Sequence, residues 1–477
     1  MPATSHRRKA FTIFELCAVV GIIGILVSLL LPAVQASREQ ARRVSCSNNL
    51  MQIAIAVRNY QSTFGHYPVQ LHGTDGSTVK GKDNDRRLSF LVGLLPFLDR
   101  TALSEMIDRE NPRTTDLNVV GYEDFAFEDP MDLGAGVEAF DGLTEELESA
   151  LAASLSSDAE ANAELSSGAS TQGGSATVAE ATLWPRNGPE PFQSTYRPWV
   201  TKIAAFRCPS DPGYGSLSGS GAAITRSNYA ACLGDGLLTA ASGPYKEVNG
   251  VFVLDAKLAQ QTNASMRGVF VPRVPTSDAD VTDGISHTIL LGEIITALGD
   301  DNQSSKPAVV TNADDLRDNP NLINAVNVTR IAGGLEPLFG GDYWSRSWRD
   351  ALDPQVTLAA TGMTVSQRRG LCWSDGMPLY TGFNTILPPN REIALSAKKD
   401  DCWGILPPSS RHSAGVTIAM VDGATRFISN SIDAGDINAP TVYVGSPNVP
   451  GSKSPYGVWG ALGTRASGEL SGMELLP

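Results

Sequence analysis

Apolar residues run almost unbroken from Phe11 to Val34, FTIFELCAVVGIIGILVSLLLPAV, with one acid, Glu15, inside the run. The uncharged part, 16–34, has about the ~20 residues a helix needs to cross a bilayer. Pro32 is expected to kink it by removing a backbone donor, and Gly21 and Gly24 weaken the same stretch. Beyond Pro32 the pattern changes to a stripe, Cys46, Leu50, Ile53, Val57, Tyr60 and Phe64, at alternating steps of four and three. That is one face of a helix, predicted to lie on a sheet, with Arg38, Arg42, Arg43, Gln52 and Arg58 on other faces. Gly65 and Pro68 end it. One helix over 11–64 would measure about 80 Å at 1.5 Å per residue.

Residues 88–107 read as a helical segment interrupted by Pro96. From 191 onward short β-like runs alternate with Gly, Pro, Asn and Asp: 203–208, 228–233, 250–254, 288–293, 415–421 and 425–429. The last two flank Asp422-Gly423, a two-residue turn suited to positive φ. The fold class expected is α+β, a long N-terminal helix packed on a mainly antiparallel β head.

Charge redraws the middle of the chain. The net charge is -14, yet Glu123 to Glu180 holds 14 Asp and Glu and no Lys or Arg, leaving 51 - 14 = 37 acids against 37 bases elsewhere. Residues 111–190 therefore read as an acidic, Ala/Ser/Gly-rich surface insertion between the start of the head, 65–110, and its main part, 191–440, with a tail at 441–477. Deleting 115–180 should leave the head folded, with a melting temperature close to that of the full chain. No basic stripe marks a nucleic-acid surface.

The N-terminus carries the most specific chemistry. Residues 1–10, MPATSHRRKA, form a polar leader with Arg7, Arg8 and Lys9 before the apolar run, which puts the N-terminus in the cytoplasm and the head outside it. A secretory signal places its small-residue cleavage site after the apolar run; here the small residue, Ala10, stands before it. A carboxylate inside lipid is costly and needs a compensating cation. The run from Ala10 to Glu15 resembles the prepilin cleavage and methylation motif. That resemblance implies a prepilin peptidase cutting after Ala10, methylation of Phe11, and pairing of Glu15 with the terminal amine of a neighbouring subunit. Ala10 in place of the usual Gly and Phe14 in place of the usual Ile are the departures.

Further segments carry a second resemblance: CSNNL at 46–50 with Asn59-Tyr60 and Phe64-Gly65, CPSDP at 208–212, SNYA at 227–230, TDGIS at 282–286 with TILLGE at 288–293, GFNT at 382–385 with LPPN at 387–390, and His412 followed after nine residues by Asp422-Gly423. Together with YGVWGALGTR at 456–465 they resemble the DUF1559 family of prepilin-like proteins and its C-terminal H-X9-DG signature. The resemblance implies an inner-membrane, single-pass protein with its head in the periplasm or beyond, placed in a pilus-like filament. Its partners would be the peptidase, other pilin-like subunits and an inner-membrane assembly platform.

Three functions compete: a pseudopilin or minor pilin of a type II secretion or type IV pilus-like system; a membrane-tethered module that binds glycan or another surface ligand; and an envelope hydrolase using His412 with Ser409, Ser410 or Ser413. Glu15 favours the first, and the large head and insertion the second. The chain lacks the G-x-S-x-G and H-E-x-x-H signatures. A lone His412 before a strand and Asp422 at a turn are expected to be structural, the chain is expected not to be an enzyme, and no cofactor is implied. Asp278, Asp280 and Asp283 mimic part of a calcium loop, but the spacing fails and Ile289 occupies the twelfth position, so a turn is the expected reading. Six cysteines form no C-x-x-C pair. In an oxidising compartment Cys372 and Cys402, close in sequence and each followed by Trp, are the expected bridge.

Overall fold

The computed structural model describes residues 13–77, 82–112, 183–212, 224–298, 302–323, 356–358, 368–412 and 414–469; side chains at 13–19, 27, 33 and 356–358 are not described. Ala10, Phe11, Ser413, most of the expected insertion and the side chain of Glu15 therefore lie outside the described residues. The chain divides into two units, Met1–Asn111 with Trp184–Pro477, and Pro112–Leu183. The first unit carries the long N-terminal helix and the two larger sheets.

Helix α1 runs from Ile13 to Phe64 with Pro32 inside it. Its two halves meet different surroundings. From Val20 to Val34 the described side chains are exposed, Ile25 and Leu29 among them, and α1 is long and apolar enough to cross a membrane. Past residue 44 the stripe is covered: Cys46, Leu50, Ile53 and Val57 are fully buried. Tyr60 is half-buried and Phe64 is 55% exposed, so the stripe outruns the surface that covers it.

That surface is a five-stranded sheet. In chain order its strands are β1 (Tyr229–Cys232), β4 (Ile289–Glu293), β7 (Gly382–Phe383), β10 (Gly415–Met420) and β11 (Thr425–Ser429). A separate antiparallel hairpin supplies β2 (Tyr245–Val248) and β3 (Val251–Leu254). The spatial order is β11-β10-β4-β1-β7, antiparallel except for the β1–β7 pair. Side chains alternate across each strand, so the sheet has two apolar faces. Tyr229, Ala231, Leu291 and Ala419 join the core that takes Leu50, Ile53 and Val57 from α1. Ala230, Cys232, Ile418 and Met420 face a second core closed by Trp459 and Leu462 of α3 (Gly457–Gly463). Covered on both sides, β10 is buried throughout, and for that reason it reads as a continuous apolar run. Ile53 lies in the middle of the helix–sheet contact; Ile53→Ala should destabilise the fold by about 2–5 kcal/mol, read as a lower urea midpoint.

A second sheet, in the order β9-β8-β5-β6, uses β5 (Ala308–Val310), β6 (Val356–Leu358), β8 (Ala394–Leu395) and β9 (Gly404–Ile405). Its β5–β8 pair is parallel. The head is thus mainly antiparallel, as expected, with two parallel pairs, β1–β7 and β5–β8. Before the sheets, 88–107 breaks as Pro96 dictates: a short helix Phe90–Gly93, a 3-10 turn Leu95–Leu98, and α2 (Thr101–Asp108). The 203–208 run is a 3-10 turn, Ala204–Phe206, rather than a strand. The β10–β11 hairpin forms in the expected place, but its connection is longer than two residues. Gly423 N donates to Met420 O, Met420 N to Ala424 O, and only Gly423 takes positive φ, at 90°. Asp422 instead uses its carboxylate to accept from Ala424 N, the local bond for which Asp suits a turn.

Candidate functional site

The sequence motifs converge where α1 meets the head. Cys46 of α1 is bonded to Cys208, with Cα atoms 4.9 Å apart across 162 residues of chain. This corrects the expected Cys372–Cys402 bridge: both are free and buried. The two share an apolar cluster, yet the Cys372 thiol donates to Pro191 O and the Cys402 thiol to Lys399 O. Burial pushes Cys372 up to about 12, so it stays a thiol.

Polar groups from the same motifs brace the disulfide. Tyr229 at the start of β1 donates its hydroxyl to Cys46 O at 2.9 Å. Asn49, one turn along α1, donates to Arg207 O at 2.8 Å. Asn228 accepts from Cys208 N and donates to Asp211, whose carboxylate also takes Thr296 N and Oγ1. The CSNNL, CPSDP and SNYA segments are therefore parts of one joint. Buried donors and acceptors matched in this way hold a unique geometry, because leaving any one unmatched is costly.

His412 belongs to the same joint. It sits three residues before β10, and its Nδ1 lies 2.7 Å from Glu39 Oε1 on α1. A carboxylate at Nδ1 favours a proton on that nitrogen, and Nε2 then faces inward. That Nε2 is 3.5 Å from Cys208 Sγ and 4.0 Å from Glu293 Oε1. Glu293 ends β4 and is placed opposite Tyr229 by the β1–β4 register. Its Oε2 accepts from Thr417 N, while Oε1 is buried without a hydrogen-bond partner. Burial pushes the Glu293 carboxyl up, against the pull of Thr417 and His412. Burial also raises Glu39, but His412 and Arg42 outweigh it and hold that carboxyl below its usual value.

Glu293 thus has a folded pKa above its ordinary 4.5. Its contribution to stability is complete below pH 4.5 and is lost as pH rises through the folded value. Urea midpoints taken in steps upward from pH 4.5 should fall more for the native chain than for Glu293→Gln. Parallel profiles would contradict this.

The other expected site residues are placed elsewhere. Ser409 accepts from Ile295 N, and Ser410 accepts from His412 N. Both hydroxyls are thus tied to backbone amides, with no bond to an imidazole nitrogen among the described contacts. Asp422 and Gly423 make the turn, at the far end of β10 from His412. The three aspartates serve different partners. Asp278 takes Arg58 and Tyr67, Asp280 caps the turn at Ser277, and Asp283 accepts from Ser467 N and Gly468 N in the tail. Glu39 and Glu293 were not foreseen. The signal for the disulfide was present, since Cys46 and Cys208 are the cysteines that open two of the motifs.

Elsewhere, Tyr60 and Phe64 at the end of α1 line, with Phe97, Ser104, Asp108 and Asn187, a cavity of about 250 Å3.

The α+β head of antiparallel and mixed sheets on a long helix is a pilin-like fold, and the apolar half of that helix fits a single-pass membrane anchor. The chain belongs to the family described as "Protein of unknown function (DUF1559)", whose model matches residues 35–435. It is also 26% identical over 77 residues to the type II secretion system core protein G of Pectobacterium carotovorum subsp. carotovorum. That stretch is 16% of this chain and 49% of the relative, so the chain spans about half the length of the curated protein it matches. No solved structure matches the chain.

Proposed function

We propose that this chain is a structural subunit of a pilus-like or type II secretion filament, made as a prepilin, and not an enzyme. The observation that carries the proposal is the division of α1: an apolar half left uncovered by the head, and a second half sealed to the head by a core, a disulfide and the His412–Glu39 pair. A helix that must transmit position from a filament core to a head needs such a rigid joint. A flexible tether does not. Similarity to a type II secretion core protein supports the same reading. Its partners are then prepilin peptidase, cutting between Ala10 and Phe11, other pilin-like subunits, and the assembly platform of the inner membrane. The N-terminus is cytoplasmic and the head extracytoplasmic. His412 works as a bracket, since no hydroxyl among the described residues is bonded to its imidazole. Filaments sheared from cells that express a tagged chain should contain it; recovery only in the membrane fraction would count against the proposal.

The aromatic cavity favours a second reading, a tethered module that binds a surface ligand such as a glycan. Tyr60, Phe64 and Phe97 offer ring faces, and Asp108 and Asn187 polar groups, at its walls. Glycan-array binding that is lost in Phe64→Ala, without filament incorporation, would select that reading.

A further inference from the structure

We infer that the helix–head joint is also a redox-gated zinc site: when the Cys46–Cys208 disulfide is reduced, the two thiolates, His412 and Glu293 bind one Zn2+. The four residues are buried, and one ligand atom from each lies within 4.8 Å of all the others. Two sulfurs, one imidazole nitrogen and one carboxylate oxygen form a donor set that zinc takes tetrahedrally.

Three details point to a ligand rather than to packing alone. Glu293 Oε1 is buried, aimed at the cluster and without a hydrogen-bond partner. His412 holds Glu39 through Nδ1 and presents Nε2 to the cluster, which is the carboxylate–histidine arrangement that orients an imidazole toward a metal. Its 3.5 Å distance to Cys208 Sγ is already close to the spacing of two ligands on a zinc ion, since zinc–ligand bonds of ~2.0–2.3 Å at tetrahedral angles put ligand atoms about 3.3–3.8 Å apart. The sulfurs alone must separate, to about 3.7 Å, a side-chain rotation for two cysteines whose Cα atoms are 4.9 Å apart.

The chemistry balances. A dithiol delivers two electrons and its own two protons to the disulfide and leaves as a cyclic disulfide; a phosphine delivers two electrons and leaves as its oxide, taking oxygen from water, whose two protons complete the thiols. Zinc then displaces both thiol protons. With all four positions filled by protein the site is structural, with no open position for catalysis. Disulfide and metal become alternative ways of closing one joint, selected by the redox state.

The test uses the full chain in detergent micelles, reduced anaerobically with a phosphine and titrated with Zn2+ alone or Co2+ alone. The reduced chain should bind one zinc with release of two protons, and cobalt should give thiolate charge-transfer bands and tetrahedral d–d intensity. The oxidised chain should show neither. His412→Gln and Glu293→Gln should each weaken zinc binding, and Glu39→Ala should weaken it about 10–100-fold while keeping one zinc per chain. Equal zinc uptake by the oxidised and reduced chains would overturn the inference. So would unchanged affinity in both His412→Gln and Glu293→Gln. Where reduction unfolds the head, zinc should restore its circular dichroism and melting transition; failure to restore them counts against the inference equally.

Discussion

Cys46→Ser or Cys208→Ser should destabilise the head by about 5 kcal/mol, because the bridge closes a loop of 162 residues and the entropy removed from the unfolded chain grows with the logarithm of that length. Reductant should destabilise the native chain by a comparable amount, read as a lower melting temperature, and leave either serine variant unmoved. Cys372→Ser should keep full reductant sensitivity, since Cys372 is a buried free thiol. The loss has a structural address. Without the bridge, α1 is held by Leu50, Ile53, Val57 and the His412–Glu39 pair, so amide exchange should rise first in α1 between residues 39 and 57 and in the residues flanking Cys208. A serine variant as stable as the oxidised native chain would show that the bridge closes nothing that the fold does not already hold.

Glu15→Leu should impair assembly while leaving insertion intact or improved. Glu15 falls in the first turn of α1 within the apolar half. An unpaired acid costs about 3 kcal/mol at the centre of a membrane helix and less toward its ends, so removing it there favours the membrane. On the proposed reading, the methylated amine of Phe11 on the next subunit would supply the missing positive charge, and leucine would remove that pairing. Glu15→Asp should be intermediate, because the shorter side chain reaches less far. Crosslinking between neighbouring transmembrane helices measures this. Equal yields for the native chain and Glu15→Leu would mean that the acid does not direct assembly, and would favour the tethered binding module.

The parts of the structure that were legible in the sequence are those set by local periodicity. The four-three stripe of α1 is buried from Cys46 to Val57 because one helical face meets one sheet face. It fails at Phe64 because periodicity records which residues share a face, not where the covering sheet stops. The β10–β11 hairpin was legible from two β-rich runs around Asp422-Gly423. The loop size was not, because Asp422 satisfies the turn through its side chain while Gly423 alone takes the positive φ. Partners distant in the chain were illegible. Cys372 and Cys402 are near in sequence and share a cluster, but bridging follows the direction of the Cβ vectors, not chain distance. Glu39 and His412 stand 373 residues apart, and no pattern around either names the other. What the sequence offered instead was the set of motif segments itself: CSNNL, CPSDP, SNYA and the His412 segment are strangers along the chain and neighbours at the joint.

The central claim, that this is a processed pilin-like subunit, meets its most direct test at the N-terminus of the protein recovered from cells with an active prepilin peptidase. Mass spectrometry of that terminus should find Phe11 as the first residue, N-methylated, with the ten leader residues and their Arg7, Arg8 and Lys9 gone. An intact leader, or a cut beyond residue 30, would contradict the account.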